Sequence, residues 1–235
     1  MPSQSLRVTG EPGVGRVSLD PPVNPAGPRR AARGDGFGLA PIHAGASVVL
    51  HESPGGRALA RIGSRTDFGS PRVLAVVERR GPWLAVATEV RRDGRAAWVH
   101  ERSPGLRSAR TGFVLRADLS QRTVELRHEG KLVKRLSVAI GRPGSETPVG
   151  RFAVTDKLNG RRFNGYYGCC VIALSGLQPK TPGGWRGGNR LAIHGTVSPG
   201  TIGGAASAGC LRAAAADMRV LMRRVPLGTP VLIRP

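Results

Sequence analysis

At 235 residues the chain is long enough for one large domain or two small ones, each with its own core. Its formal net charge of +21 rests almost entirely on arginine, since lysine occurs only at Lys131, Lys134, Lys157 and Lys180. A basic surface of this kind favours polyanions, although genome bias toward Arg, Ala, Gly and Pro produces the same composition; no aromatic interleaving or nucleic-acid motif accompanies the charge, which sets nucleic acid aside.

No apolar run is long enough to span a bilayer, so no transmembrane segment is expected. Residues 1–30 show no apolar core of a signal peptide. Cys169, Cys170 and Cys210 do not make a disulfide framework, and the adjacent pair lacks the spacing of a zinc site. A vicinal disulfide is rare, so Cys169 and Cys170 are read as two small packed residues, which leaves Cys210 free. Neither a metal nor a cofactor is expected.

Residues 1–40, rich in Pro, Gly and Arg with no periodic apolar pattern, cannot bury enough surface to offset their ordering entropy and read as a flexible basic arm. From residue 41 to 106 short β runs follow with turn punctuation: 47–50, 58–62, 72–77, 83–87 and 97–99, with Pro54-Gly55-Gly56 and Asp93-Gly94 as turns. Five short strands in some sixty residues predict a small closed barrel. The Pro54-Gly55-Gly56 turn and the runs around Trp83 and Trp98 resemble a bacterial SH3-like domain. Trp83 and Trp98 read as core packing, with an exposed binding groove as the alternative.

Ser103 to Arg110 reads as a linker. Beyond it, 112–118 and 123–127 alternate as strands, Glu129-Gly130-Lys131 turns the chain into 132–140, and 150–154 resumes the pattern, as the half-polar strands of a sandwich do. Residues 157–189 are irregular and carry Tyr166, Tyr167 and Trp185, the composition of a lid or binding loop. A β run at Leu191-Ala192-Ile193 delivers His194, and a loop of small residues leads to Ser207-Ala208-Gly209-Cys210-Leu211-Arg212. A helix is predicted over 213–224, where Met218, Leu221, Met222 and Val225 share one face, and a last strand over 229–233. A thiol becomes a nucleophile as thiolate, and a neighbouring imidazole and a helix N-terminus are two ways to lower its pKa; both are expected here.

His194-Gly195, Ser207-x-Gly209-Cys210-Leu211-Arg212 and, upstream, Thr147-Pro148-Val149-Gly150-Arg151-Phe152 resemble the signature motifs of the L,D-transpeptidase (YkuD-like) catalytic domain, over roughly residues 111–235. One position departs from the family pattern: Ala208 stands where the family usually has His, which removes a polar group beside the nucleophile. The expected fold is mostly β, a small SH3-like β-barrel (41–106) followed by an L,D-transpeptidase-type β-sandwich (111–235) with a helix after the catalytic Cys.

The resemblance implies Cys210 as nucleophile, His194 as its base, and a main-chain carbonyl near Gly195 orienting the imidazole. The amides of Gly209 and Cys210 are the expected oxyanion donors. Arg212 either holds a substrate carboxylate or braces the loop, Ser207 braces the loop, and Tyr166, Tyr167 and Trp185 wall the donor site. The implied partners are peptidoglycan stem peptides, with β-lactams of the carbapenem type as inhibitors and anionic wall polymers as a further partner, in the cell envelope. Hydrolysis of the same thioester, an L,D-carboxypeptidase, and a non-catalytic wall-binding module are the alternatives.

Overall fold

The computed structural model describes residues 36–91, 93–163, 165–181 and 188–235. The basic arm up to residue 35 and Trp185 therefore lie outside the described residues. The first sheet holds β1 (Phe37–Pro41), β2 (Ser47–His51), β3 (Ala58–Gly63), β4 (Val73–Arg80), β5 (Trp83–Ala87), β6 (Ala97–His100) and β7 (Ala109–Thr111), in the order β3-β2-β6-β5-β4-β1-β7. The five runs expected from the sequence are β2 to β6; β1 and β7 join them, β1 taking residues 37–40 out of the expected arm by pairing with β4 and β7, and β7 falling within the stretch read as linker. Alternation sets the core: Val48 and Leu50 of β2, Leu74 of β4, Leu84 and Val86 of β5, and Val99 of β6 point inward and are buried together. Trp98 is buried with the Arg80 guanidinium 5.0 Å above its ring, whereas Trp83 is half-buried between the edges of His51 and His100.

The second sheet holds β8 (Phe113–Asp118), β9 (Thr123–His128), β10 (Lys131–Gly141), β11 (Gly150–Asn159), β12 (Cys170–Leu177), β13 (Arg190–His194), β14 (Ala205–Ser207), β15 (Leu211–Ala213) and β16 (Pro230–Arg234), with one helix, α1 (Ala215–Arg224). Two long strands make it a sandwich. The first half of β10 pairs with β9 and its second half with β15, while β11 pairs with β16 at 150–153 and with β12 from Val154 onward. Both strands therefore belong to both layers, and the ladder closes on itself. Glu129 and Gly130, both at positive φ, form the two-residue turn that brings β10 back along β9.

Leu115, Leu126, Leu136, Ile172, Ile193 and Leu211 lie fully or almost fully buried between the layers. The apolar run of β12 is buried along nearly its whole length, as a central strand covered on both faces must be. Met218, Leu221 and Val225 seal α1 onto the core, and Lys134 pairs with Asp217 in its first turn at 2.8 Å. Among the described residues no helix is long and apolar enough to cross a membrane.

Candidate active site

Parallel pairing of β13 with β15 sets Ile193 beside Leu211 and His194 beside Arg212. Ile193 and Leu211 point into the core, so alternation turns His194 and Arg212 to the other face. Cys210, just before β15, lies alongside Ala192 on that same face, with the Ala192 amide directed at its sulfur. His194, Cys210, Ala208, Tyr166, Tyr167 and Gln178 line one cleft.

The imidazole is 1 % exposed, and its Nδ1 lies 2.6 Å from the carbonyl oxygen of Gly195. A carbonyl only accepts, so Nδ1 carries the proton and Nε2 presents a lone pair. The family resemblance implied a main-chain carbonyl near Gly195, and the Gly195 carbonyl stands against the ring. Burial pulls the His194 pKa down to about 4; the Gly195 bond opposes that shift and the Arg212 charge adds to it. Burial pushes the Cys210 thiol up to about 11, against the pull of the Ala192 amide and of Arg212. The thiol donates to the carbonyl of Arg190 at 3.8 Å. At neutral pH both groups are uncharged.

Three sequence expectations need correction. α1 does not begin at the nucleophile, because β15 intervenes and the helix starts at Ala215, so its dipole does not lower the thiol pKa. The Gly209 amide is not an available oxyanion donor: it donates to Ser207 Oγ at 3.0 Å. Ser207 Oγ in turn donates to the Cys210 carbonyl at 2.6 Å, the bracing expected of it. Lastly, Cys169 and Cys170 are bonded to each other, and Cys210 is the single free cysteine.

Arg212 is buried; one Nη donates to Tyr166 Oη and the guanidinium lies 4.7 Å from that ring, while among the described residues it has no carboxylate partner and its Nε no hydrogen-bond partner. Tyr166 and Tyr167 stand with ring centroids 5.7 and 5.0 Å from the imidazole. Burial, with Cys210 and Tyr166 beside it, raises the Tyr167 pKa. Sequence reasoning missed Gln178 and Arg190. Gln178 is 5 % exposed and its Nε2 faces the carbonyls of Glu146 (2.8 Å), Ala208 (3.2 Å) and Ser145 (3.4 Å). Its only signal was a polar side chain directly after a largely apolar strand.

The closed β-sandwich thus presents a free thiol and a neutral imidazole on one cleft. The family described as YkuD, L,D-transpeptidase catalytic domain, matches residues 112–233, and the chain belongs to it. The chain is similar to YkuD of Bacillus licheniformis, 32% identical over 133 residues covering 56% of this chain and 72% of that one, and to YkuD of Bacillus subtilis, 29% identical over 131 residues covering 55% and 71%. Solved structures similar to it include an L,D-transpeptidase from Mycobacterium smegmatis (16% identity, 69% of this chain and 90% of that one, TM-score 0.43). Another is L,D-transpeptidase 3 from Mycobacterium tuberculosis in complex with a faropenem-derived adduct (16% identity, 60% and 74%, TM-score 0.41).

Proposed function

We propose that this protein cross-links peptidoglycan as an L,D-transpeptidase, by acyl transfer through a thioester on Cys210. The observation that carries the reading is the Nδ1 bond of His194 to the Gly195 carbonyl, which leaves Nε2 basic on the cleft that holds the chain's one free thiol. Because thiol and imidazole both rest uncharged, the proton moves in step with attack rather than beforehand. Cys210 Sγ bonds to the carbonyl carbon of the third residue of a stem peptide, and its proton passes to His194 Nε2. The oxyanion takes the Cys210 amide as donor. Collapse breaks the C–N bond, and Nε2 returns the proton to the departing D-amino acid. An acceptor amine then gives its proton to Nε2 and attacks the thioester; the C–S bond breaks, and the departing sulfur takes that proton back from Nε2. Arg212, with its unpartnered Nε, suits a stem-peptide carboxylate, and Tyr166 and Tyr167 form the adjoining wall. Substrate of this kind places the work in the cell envelope, where a surface rich in arginine also suits anionic wall polymers.

Intact mass after incubation with a stem tetrapeptide or a carbapenem tests the reading. The native chain gains one acyl adduct, and Cys210→Ala gains none. An adduct that persists in Cys210→Ala overturns the assignment. Product analysis with and without an added amine then distinguishes cross-linking from hydrolysis to a shortened stem.

A further inference from the structure

We propose that Gln178 is the positioning residue of the nucleophile loop, holding by its side-chain amide the peptide group that precedes the oxyanion donor. The inference rests on the acyl-transfer reading above. The peptide between Ala208 and Gly209 is held at both ends: Gln178 Nε2 donates to its carbonyl at 3.2 Å, and its N–H donates to Ser207 Oγ at 3.0 Å. With that plane fixed, Gly209 at φ +114° and the Cys210 carbonyl held by Ser207 Oγ at 2.6 Å, the peptide that carries the Cys210 N–H is restrained from both sides. Only glycine fits at 209 on two counts. An L side chain rarely adopts this φ, and a Cβ there would lie 1.8 Å from Gln178 Nε2.

The chemistry around the amide fixes which way it points. Nε2 faces three carbonyls, which can only accept, and Oε1 accepts the N–H of Lys180 at 3.1 Å. The Gln178 main chain is itself held, its N–H donating to Asn189 at 2.7 Å. One buried amide therefore joins the nucleophile loop to the connection between β10 and β11 and to the segment leaving β12. That connection is independently held to the nucleophile loop, with the Arg142 N–H donating to the Ser207 carbonyl at 3.0 Å. Ala208 has no side-chain donor to offer at this place, and the amide reaching in from the end of β12 supplies one.

The test compares two reactions of the same sulfur. Acylation by a carbapenem builds a tetrahedral oxyanion; alkylation by iodoacetamide displaces iodide at a saturated carbon and builds none. Gln178→Met keeps the length and removes the donors, and Gln178→Glu sets a carboxylate against three carbonyls. In whichever of them folds, carbapenem acylation read by intact mass falls about 10- to 100-fold, in the range of a weakened oxyanion donor, and iodoacetamide labelling of Cys210 stays within about twofold of the native chain. Acylation that stays near native, or acylation and labelling that fall together, overturns the proposal, the latter because a loop that has merely come apart affects both. A native chain that is labelled by iodoacetamide but acylated by neither carbapenem nor stem peptide overturns instead the acyl-transfer reading on which this one rests.

Discussion

The hydrogen bond from His194 Nδ1 to the Gly195 carbonyl selects one tautomer, and burial keeps the ring neutral well below the usual imidazole range, with a pKa of about 4. A base of this kind works while it is unprotonated. The pH profile of acylation should therefore stay flat from neutrality through 6.5 and fall only toward pH 4, whereas an inflection near 6.5 would mean a solvated imidazole. Stability follows the same sign. The unfolded chain takes up the His194 proton first as pH falls below about 6.5, so the folded state loses this contribution between there and about 4, and acid titration of the unfolding midpoint reads it. The thiol, pushed up to about 11, should show iodoacetamide labelling that keeps rising with pH beyond 9. Gly209→Ala should lower acylation by more than about tenfold, because the alanine must leave a strained φ and displace Gln178. At this scale the sequence singled out His194, Ser207 and Cys210 by side chains with chemistry of their own, and the structure sets His194 and Cys210 on one cleft with Ser207 bonded to the Cys210 carbonyl. Gln178 was not singled out, because it acts on main-chain carbonyls, which every residue has and no motif records.

Elements bring these residues together, and the segment before β12 is the tightest. The Gly195 N–H donates to the Cys170 carbonyl at 2.9 Å, the Gly160 N–H donates to the Cys169 carbonyl at 3.1 Å, and a Cβ on Gly168 would lie 2.7 Å from the Thr196 nitrogen. The bonded pair Cys169 and Cys170 thus stiffens the backbone against which Gly195, and through it the imidazole, is set. Replacing both cysteines by serine should slow acylation about tenfold by loosening that geometry, with iodoacetamide still labelling Cys210; an unchanged acylation rate would show that backbone packing alone holds Gly195. The sandwich strands and the turn at Glu129-Gly130 were readable from alternation and turn chemistry. β15 was not, because three residues, Leu211 to Ala213, are too few to show a period, and they stand where a helix was expected to begin. The disulfide was hidden for another reason: adjacency in sequence says nothing about whether two sulfurs are turned toward each other.

At the scale of the whole molecule, the two sheets share a seam that neither composition nor periodicity announces. Leu39, Ala75 and Ala87 of the first sheet are buried against Ala153 of β11, and small side chains let the strands approach closely. At the edge of this seam Thr66, in the connection between β3 and β4, donates its hydroxyl to Asp156 Oδ1. Asp156 is 0 % exposed, and its Oδ2 has no partner among the described residues. Next to it Asp67 pairs with Arg190 at 3.6 Å, and the backbone carbonyl of Arg190 receives the Cys210 thiol, so the seam runs up to the nucleophile. Asp67 is mostly solvated, and its pair with the largely covered Arg190 is worth at most about 1 kcal/mol. The Thr66 bond differs, because removing the hydroxyl leaves a buried carboxyl with neither oxygen satisfied, at a cost of about 1–3 kcal/mol or more. Thr66→Val keeps the side-chain volume and removes that donor. It should lower the unfolding free energy by this amount, read as a lower urea midpoint at unchanged m-value, with both sheets still unfolding in one transition because the apolar seam stays intact. Asp156→Asn, whose amide adds donors of its own, should lose less. If Thr66→Val leaves the midpoint unchanged, water satisfies the carboxyl and the seam rests on apolar contact alone.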